Sequence, residues 1–413
     1  MSGVRLGFRL SRGVLGTISP PIPTAYQWAA LYSPTAAQPL LDMSQGVPGT
    51  PPPKVLQTAL GDAASSPASF GYCPADGEPL MRKALADEMK VIYGSDADVT
   101  PEDIALTTGC NMAFIATIMS LADAGDEIIL PVPWYFNHQM DLTLLGVTPV
   151  PLQTLPEDGF MPSVERCRAL ITPRTKAIAL VTPNNPTGAT YSPSLIASFV
   201  NLAAENNIAL VIDETYRDFI LTGAPHSLFS GAWRSNFIHL FSFSKSYCLP
   251  GHRLGAIAAS PLLLKQIRTV LDCLQICPPR PFQLALTPLL PTLRPFIRET
   301  AVAIQARHEL FRRVLPSRWK IGAQGGYFAF VRHPFRGITS LEVSKRLAVE
   351  LGVVTLPSAF FCEEEREGSG DTAVWDKTRW IRFSVANVDD EKVKKICARL
   401  EEAESVFEWD VDT

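Results

Sequence analysis

Lys245 closes the run Phe241-Ser242-Phe243-Ser244-Lys245, and Arg253 follows eight positions later within Gly251-His252-Arg253-Leu254-Gly255. A primary amine can condense with an aldehyde to give a Schiff base, and a cation nearby favours the neutral, nucleophilic form of that amine. The apolar stretch Phe237-Ile238-His239-Leu240-Phe241 reads as a buried strand that delivers Lys245 to its carboxyl end. Open α/β sheets place their ligands there. Ser-x-Ser-Lys alone describes many solvated surface lysines, so the weight falls on what the rest of the chain supplies.

Val211-Ile212-Asp213-Glu214-Thr215-Tyr216 ends a second apolar run in an acid. If the aldehyde is pyridoxal 5′-phosphate, Asp213 can keep the pyridine nitrogen protonated, so that the ring withdraws electrons from a substrate carbon. Tyr216 can donate to the ring's phenolic oxygen. Asn185, in Thr182-Pro183-Asn184-Asn185-Pro186-Thr187-Gly188, can offer its amide to the same oxygen. As isolated motifs these also read as an acidic helix cap and a common turn.

Thr107-Thr108-Gly109-Cys110-Asn111 lies between a strand and a helix. Backbone N–H groups at such a helix start favour a phosphate, and Ser242 and Arg253 add a hydroxyl and a fixed cation. In Pro131-Val132-Pro133-Trp134-Tyr135-Phe136, Tyr135 is placed to stack on a cofactor ring, though aromatic clusters of this kind more often pack. Arg382 lies inside the apolar run Trp380 to Val385. A buried guanidinium must be paired; a substrate carboxylate held by two hydrogen bonds would serve, as would an internal Asp or Glu.

Positioning these groups takes a mostly parallel sheet covered by helices. Apolar runs at Ile104–Thr108, Glu127–Leu130, Ala177–Thr182, Ile208–Asp213, Phe237–Ser242 and Gly255–Ala259 predict strands. Met81, Leu85, Met89 and Ile92 recur at helical spacing, and a second helix is expected from about Asn111 to Ala122. Beyond about residue 290 a smaller α+β unit is expected. It comprises a helix over Leu293–Leu315, strands at Gly325–Val331 and Trp380–Val385, and a helix over Asp389–Glu402. The expected division is 1–45 as an amino-terminal arm and part of the small domain, 46–290 as the large domain and 291–413 as the small one.

The 413 residues carry 37 Lys and Arg against 41 Asp and Glu, a formal charge of −4, without a long basic tract. That argues against nucleic acid and acidic membranes as partners, and no apolar run is long enough to span a bilayer. The eight cysteines form no CxxC pair; a disulfide framework and a metal site are not expected, and a reducing, cytoplasmic setting fits. Arg5, Arg9 and Arg12, with no acid before Asp42, are compatible with a mitochondrial transit segment. A proline-rich arm lying across a partner subunit is the preferred reading. Neither GxGxxG nor GxxxxGK[ST] occurs, which counts against a nicotinamide enzyme or a nucleoside triphosphatase.

In this order, the Asn-Pro-Thr-Gly motif, the Asp213–Tyr216 pair, Ser-x-Ser-Lys with Arg253, and Arg382 resemble the fold type I pyridoxal-phosphate enzymes, specifically the class I/II aminotransferases, from about Ser44 onward. The resemblance implies that Lys245 carries the internal aldimine, that Asp213, Asn185 and Tyr216 hold the ring, and that Gly109, Cys110, Asn111, Ser242 and Arg253 cup the phosphate. It implies that Gly46 contacts the substrate carboxylate through its backbone. It also implies that Tyr72 reaches the phosphate of a neighbouring subunit, making the protein a homodimer with shared sites. Cys110 and Asn111 depart from the small residues usual in that loop. Arg280 is the one candidate for a second, side-chain-binding arginine. The expected reaction moves an amino group from an L-amino acid to a 2-oxo acid, with Lys245 as general base. A carbon–sulfur β-lyase, or an elimination like that of aminocyclopropane-carboxylate synthase, is the alternative.

Overall fold

The computed structural model describes residues 7–363 and 378–412. Near the amino terminus a short strand, β1 (Leu41–Asp42), precedes the main sheet, whose strands are β2 (Ile104–Thr107), β3 (Glu127–Val132), β4 (Thr148–Gln153), β5 (Thr175–Val181), β6 (Ala209–Asp213), β7 (Phe237–Ser242) and β8 (Gly255–Ala258). Their spatial order is β2-β8-β7-β6-β5-β3-β4. β3 through β7 pair in parallel, and β8 runs antiparallel to both its neighbours. Every residue of β2, β3, β7 and β8 is buried, as expected of a sheet with helices on both faces.

One face of the sheet packs on the helices Pro79–Tyr93, Pro193–Glu205 and Arg280–Leu286 through Leu85, Phe199 and Phe282. The other packs on Cys110–Leu121 and Pro261–Gln275 through Phe114 and Ile267. These two apolar layers set the height of the sheet's carboxyl edge, where β6 and β7 deliver Asp213 and Lys245.

The small sheet, ordered β12-β13-β10-β9, comprises β9 (Lys320–Gly325), β10 (Phe328–Arg332), β12 (Leu356–Pro357) and β13 (Trp380–Ser384). β11 (Val353–Val354) pairs in parallel with β1, tying the amino-terminal segment into this unit. The helices Arg294–Val314 and Asp390–Val406 match the expected ones to within a few residues.

Three expectations change. Gly325–Val331 is not one strand: β9 ends at Gly325, Gly326 turns at φ +52°, and β10 begins at Phe328. β4 had no counterpart in the sequence reading. The arm also has seats on its own chain, where the short helix Arg12–Gly16 packs on Phe136–Leu145 and Pro21–Ala29 packs on Ser340–Leu351.

Candidate active site

Lys245 lies in the single helical turn Phe243–Ser246 that follows β7. Ser242 Oγ accepts from the Ser244 amide at 3.2 Å, which fixes the turn as the strand ends. The lysine Nζ donates to the Gly46 carbonyl at 2.6 Å, and the Tyr327 hydroxyl holds the Lys245 carbonyl at 3.0 Å. Burial, then the charges of Arg253 and Arg382, bring the amine from its ordinary 10.5 down to about 8.

Asp213 ends β6, one strand away. Its Oδ1 accepts from the Thr215 amide at 2.9 Å and the Thr215 hydroxyl at 2.6 Å, while Oδ2 faces His138 Nε2 at 3.4 Å. Burial alone would raise the carboxyl; the His138 and Thr215 contacts outweigh it and hold Asp213 below its ordinary range. It is a buried anion at neutral pH.

Arg382 is 2 % exposed. Its Nη1 donates to Asn185 Oδ1 at 2.7 Å, Nη2 donates to the Ser44 carbonyl, and the guanidinium lies over the rings of Phe328 and Phe361 at 4.5 and 5.0 Å. Nε is buried without a hydrogen-bond partner. Among the described residues no carboxylate forms an ion pair with Arg382, so the internal Asp or Glu alternative finds no support. Burial pulls its pKa to about 10, with the Tyr216 and Tyr135 phenols and Asp42 opposing; it stays a cation at neutral pH. Since Asn185 accepts through Oδ1, its amide nitrogen remains a donor.

Gly109, at φ +83°, precedes the helix Cys110–Leu121, which has no side-chain cap at its start. The first amides there are thus open to an anion. Arg253, itself at φ +52°, is pressed on this loop: a Cβ at Gly109 would stand 2.9 Å from its guanidinium carbon. Cys110 is buried, and burial pushes its thiol up, so it is no charged ligand. Asn111 accepts the Tyr135 hydroxyl at 3.3 Å, which brings Tyr135 over the same loop. Tyr216 is buried against Tyr327 and Phe328 with its hydroxyl beside Gly46, where a Cβ would strike Phe328 at 2.6 Å.

Two sequence candidates lie apart from this cluster. Tyr72 is 78 % exposed and forms none of the site's hydrogen bonds. Arg280 pairs with Glu78 at 2.5 Å and bonds the Gly71 carbonyl at 3.3 Å, so its charge is already matched.

A phosphate cradle that a methyl group would fill, a lysine amine near neutrality and a buried anion on neighbouring strand ends together fit pyridoxal 5′-phosphate. The sequence matches the family described as aminotransferase class I and II over residues 38–400. The chain belongs to that family.

Among individual relatives it is similar to a probable aspartate/prephenate aminotransferase of Thermus aquaticus, 32 % identical over 231 residues, 56 % of this chain and 59 % of that protein. The matched stretch thus spans under two thirds of that relative. An aromatic aminotransferase of Arabidopsis thaliana is 26 % identical over 402 residues, 95 % of each chain. Among solved structures, Thermus thermophilus aspartate aminotransferase with maleate superposes with a TM-score of 0.83 at 25 % identity, covering 96 % of this chain and 99 % of that one.

Sequence reasoning missed the groups that hold the chemical ones. His138 was legible as a polar residue three past Tyr135, but the aromatic run drew the reading to Tyr135. Ser44, Thr215, Phe328 and Phe361 act through a carbonyl, a hydroxyl and ring faces, none of which leaves a motif.

Proposed function

We propose that this family member binds pyridoxal 5′-phosphate through Lys245 and transfers the amino group of an L-amino acid to a 2-oxo acid. The observation that carries the proposal is the pairing of a recessed Lys245 amine, lowered to about 8, with a buried Arg382 that has no carboxylate partner among the described residues and a buried Nε left unbonded. One group asks for an aldehyde, the other for a carboxylate.

When bound, the cofactor supplies an electron sink that stabilises negative charge developing on the substrate's α-carbon. Asp213, held ionised by His138 and Thr215, keeps a proton on the ring nitrogen. Asn185, through its free amide, and Tyr216 donate to the ring's phenolic oxygen. The amides after Gly109, with Ser242 and Arg253, take the phosphate, and Tyr135 covers the ring. Arg382 offers its unpartnered Nε–H to the substrate carboxylate and so orients the α-carbon. Lys245, with its amine left free once the substrate's amine has taken its place on the cofactor, would be the base that moves the α-proton. Gly46 lies beside Lys245 with no room for a side chain, letting the substrate's carboxylate end approach the backbone.

A homodimer is part of the same proposal: Tyr72, exposed and without a role in its own site, is available to a neighbour's phosphate. Among the described residues no helix is long and apolar enough to cross a membrane, and all eight cysteines are free. No feature of the site favours β-elimination. Incubating the purified protein with an amino-acid panel, with and without 2-oxoglutarate, decides the reaction. Transamination requires the acceptor and yields the matching 2-oxo acid; ammonia and pyruvate released without an acceptor would overturn the proposal.

A further inference from the structure

Asp141 is a titratable group that the proposed chemistry does not use. It sits on the helix Phe136–Leu145, three residues beyond His138, and its Oδ2 is buried without a hydrogen-bond partner. Residues three apart share a helix face with Cβ atoms about 5–6 Å apart, and helical side chains lean toward the amino terminus. Asp141 therefore leans back over the turn that carries His138. That imidazole cannot rotate freely: Phe114 stacks on it at 3.8 Å and 12°, and Tyr135 meets it edge-on at 5.0 Å. With Nε2 turned to Asp213 at 3.4 Å, the ring's other edge faces away from the cofactor site.

We infer that Asp141 is a positioning residue that acts through His138 on Asp213, as a second carboxylate one helical turn from the imidazole and without an ion pair of its own to it. The inference rests on the pyridoxal-phosphate reading of the site. Asp141 and the imidazole attract one another electrostatically, and the imidazole in turn favours the anion of Asp213 that the ring nitrogen needs. Burial raises the Asp141 carboxyl to about 6, with the His138 charge opposing the rise, so its anion is present above that pH and lost below it.

Few other charges face it. The helix brings His138 and, at its cap, Tyr135, whose phenol Asp141 helps push up. The packed helix Cys110–Leu121 brings only Cys110, strand β4 and the turn Ser358–Phe361 bring no titratable group, and the arm helix brings the exposed Arg12.

The test is the affinity of apoprotein for pyridoxal 5′-phosphate, followed by absorbance, together with kcat/KM across pH 5 to 9. Asp141→Asn keeps the shape and removes the charge. Wild type and variant should coincide below about pH 5.5. They should diverge as pH rises, with the variant about three- to tenfold weaker in both measures at pH 8, the scale of coupling between neighbours in one electrostatic network. In a His138→Gln background the same substitution should have no further effect. Profiles offset by a constant factor at every pH, or an Asp141 effect that persists without His138, would overturn the inference. If wild type shows no cofactor band at all, the underlying site reading has failed instead.

Discussion

Replacing Arg382 by lysine keeps a positive charge at the same place while dismantling the planar fork that the site is built around. In the folded chain, Nη1 is engaged by Asn185 Oδ1 at 2.7 Å and Nη2 by the Ser44 carbonyl, leaving Nε as the buried donor without a partner. A lysine ammonium has three donors on one nitrogen. It cannot reach Asn185, Ser44 and a substrate carboxylate in the geometry a guanidinium spans. At least one charge-assisted hydrogen bond to substrate is lost, worth about 1.5–3 kcal/mol, or roughly a 10- to 150-fold fall in kcat/KM. The assay compares kcat/KM for an amino acid with that for the corresponding amine lacking the carboxylate, in wild type and Arg382→Lys. The amino acid should lose the full factor and the amine almost none. A folded, cofactor-loaded variant with unchanged kcat/KM for the amino acid, or with equal losses for both substrates, would refute the role given to Arg382.

Further outcomes follow from the same geometry. Lys245→Ala should remove the absorbance of lysine-bound cofactor and turnover while leaving the fold intact; borohydride reduction and peptide mapping of wild type should place the label on Lys245. Because that amine is lowered to about 8, its neutral fraction at pH 7 is roughly one in ten. Cofactor loading of apoprotein should accelerate with pH and level off above about 8, and Arg253→Gln, which removes a depressing charge, should move that inflection upward. Asp213→Asn should cut kcat by about 10²–10³, the scale of losing a preorganised electrostatic partner, while a near-wild-type rate would exclude it as the ring's counter-ion. Gly109→Ala should weaken pyridoxal-phosphate binding about tenfold or more, since a Cβ meets Arg253 and φ +83° strains any side chain; equilibrium titration reads it.

Asp213 and Lys245 were legible because each sits where an apolar strand stops, Val211–Ile212 before Asp213 and Phe237–Phe241 before Lys245, and Arg382 because a charge stands inside an apolar run. Burial on both faces writes such strands as continuous apolar runs. β4 was not legible because Pro149 and Pro151 interrupt it. The structure explains why they are tolerated, since β4 is an edge strand paired only with β3, where missing N–H groups cost least. The hairpin at Gly326 was read as strand because aromatic residues follow it directly, and only the positive φ marks the turn. His138 was overlooked for a different reason: its importance lies in what it faces across the fold, and one chain's pattern does not encode that.

β8 carries a consequence for how the protein is made. It runs against its neighbours and lays Gly255 beside Thr107, so that a Cβ at Gly255 would collide with the Gly109 backbone. The phosphate loop leaves the ribosome early, but the wall that completes it, with Arg253, arrives only after the strands of the β3–β7 block have been translated. A nascent chain halted before that wall has Asp213 and no finished cradle, so the phosphate loop stays open on one side until residue 255 of 413 has been added.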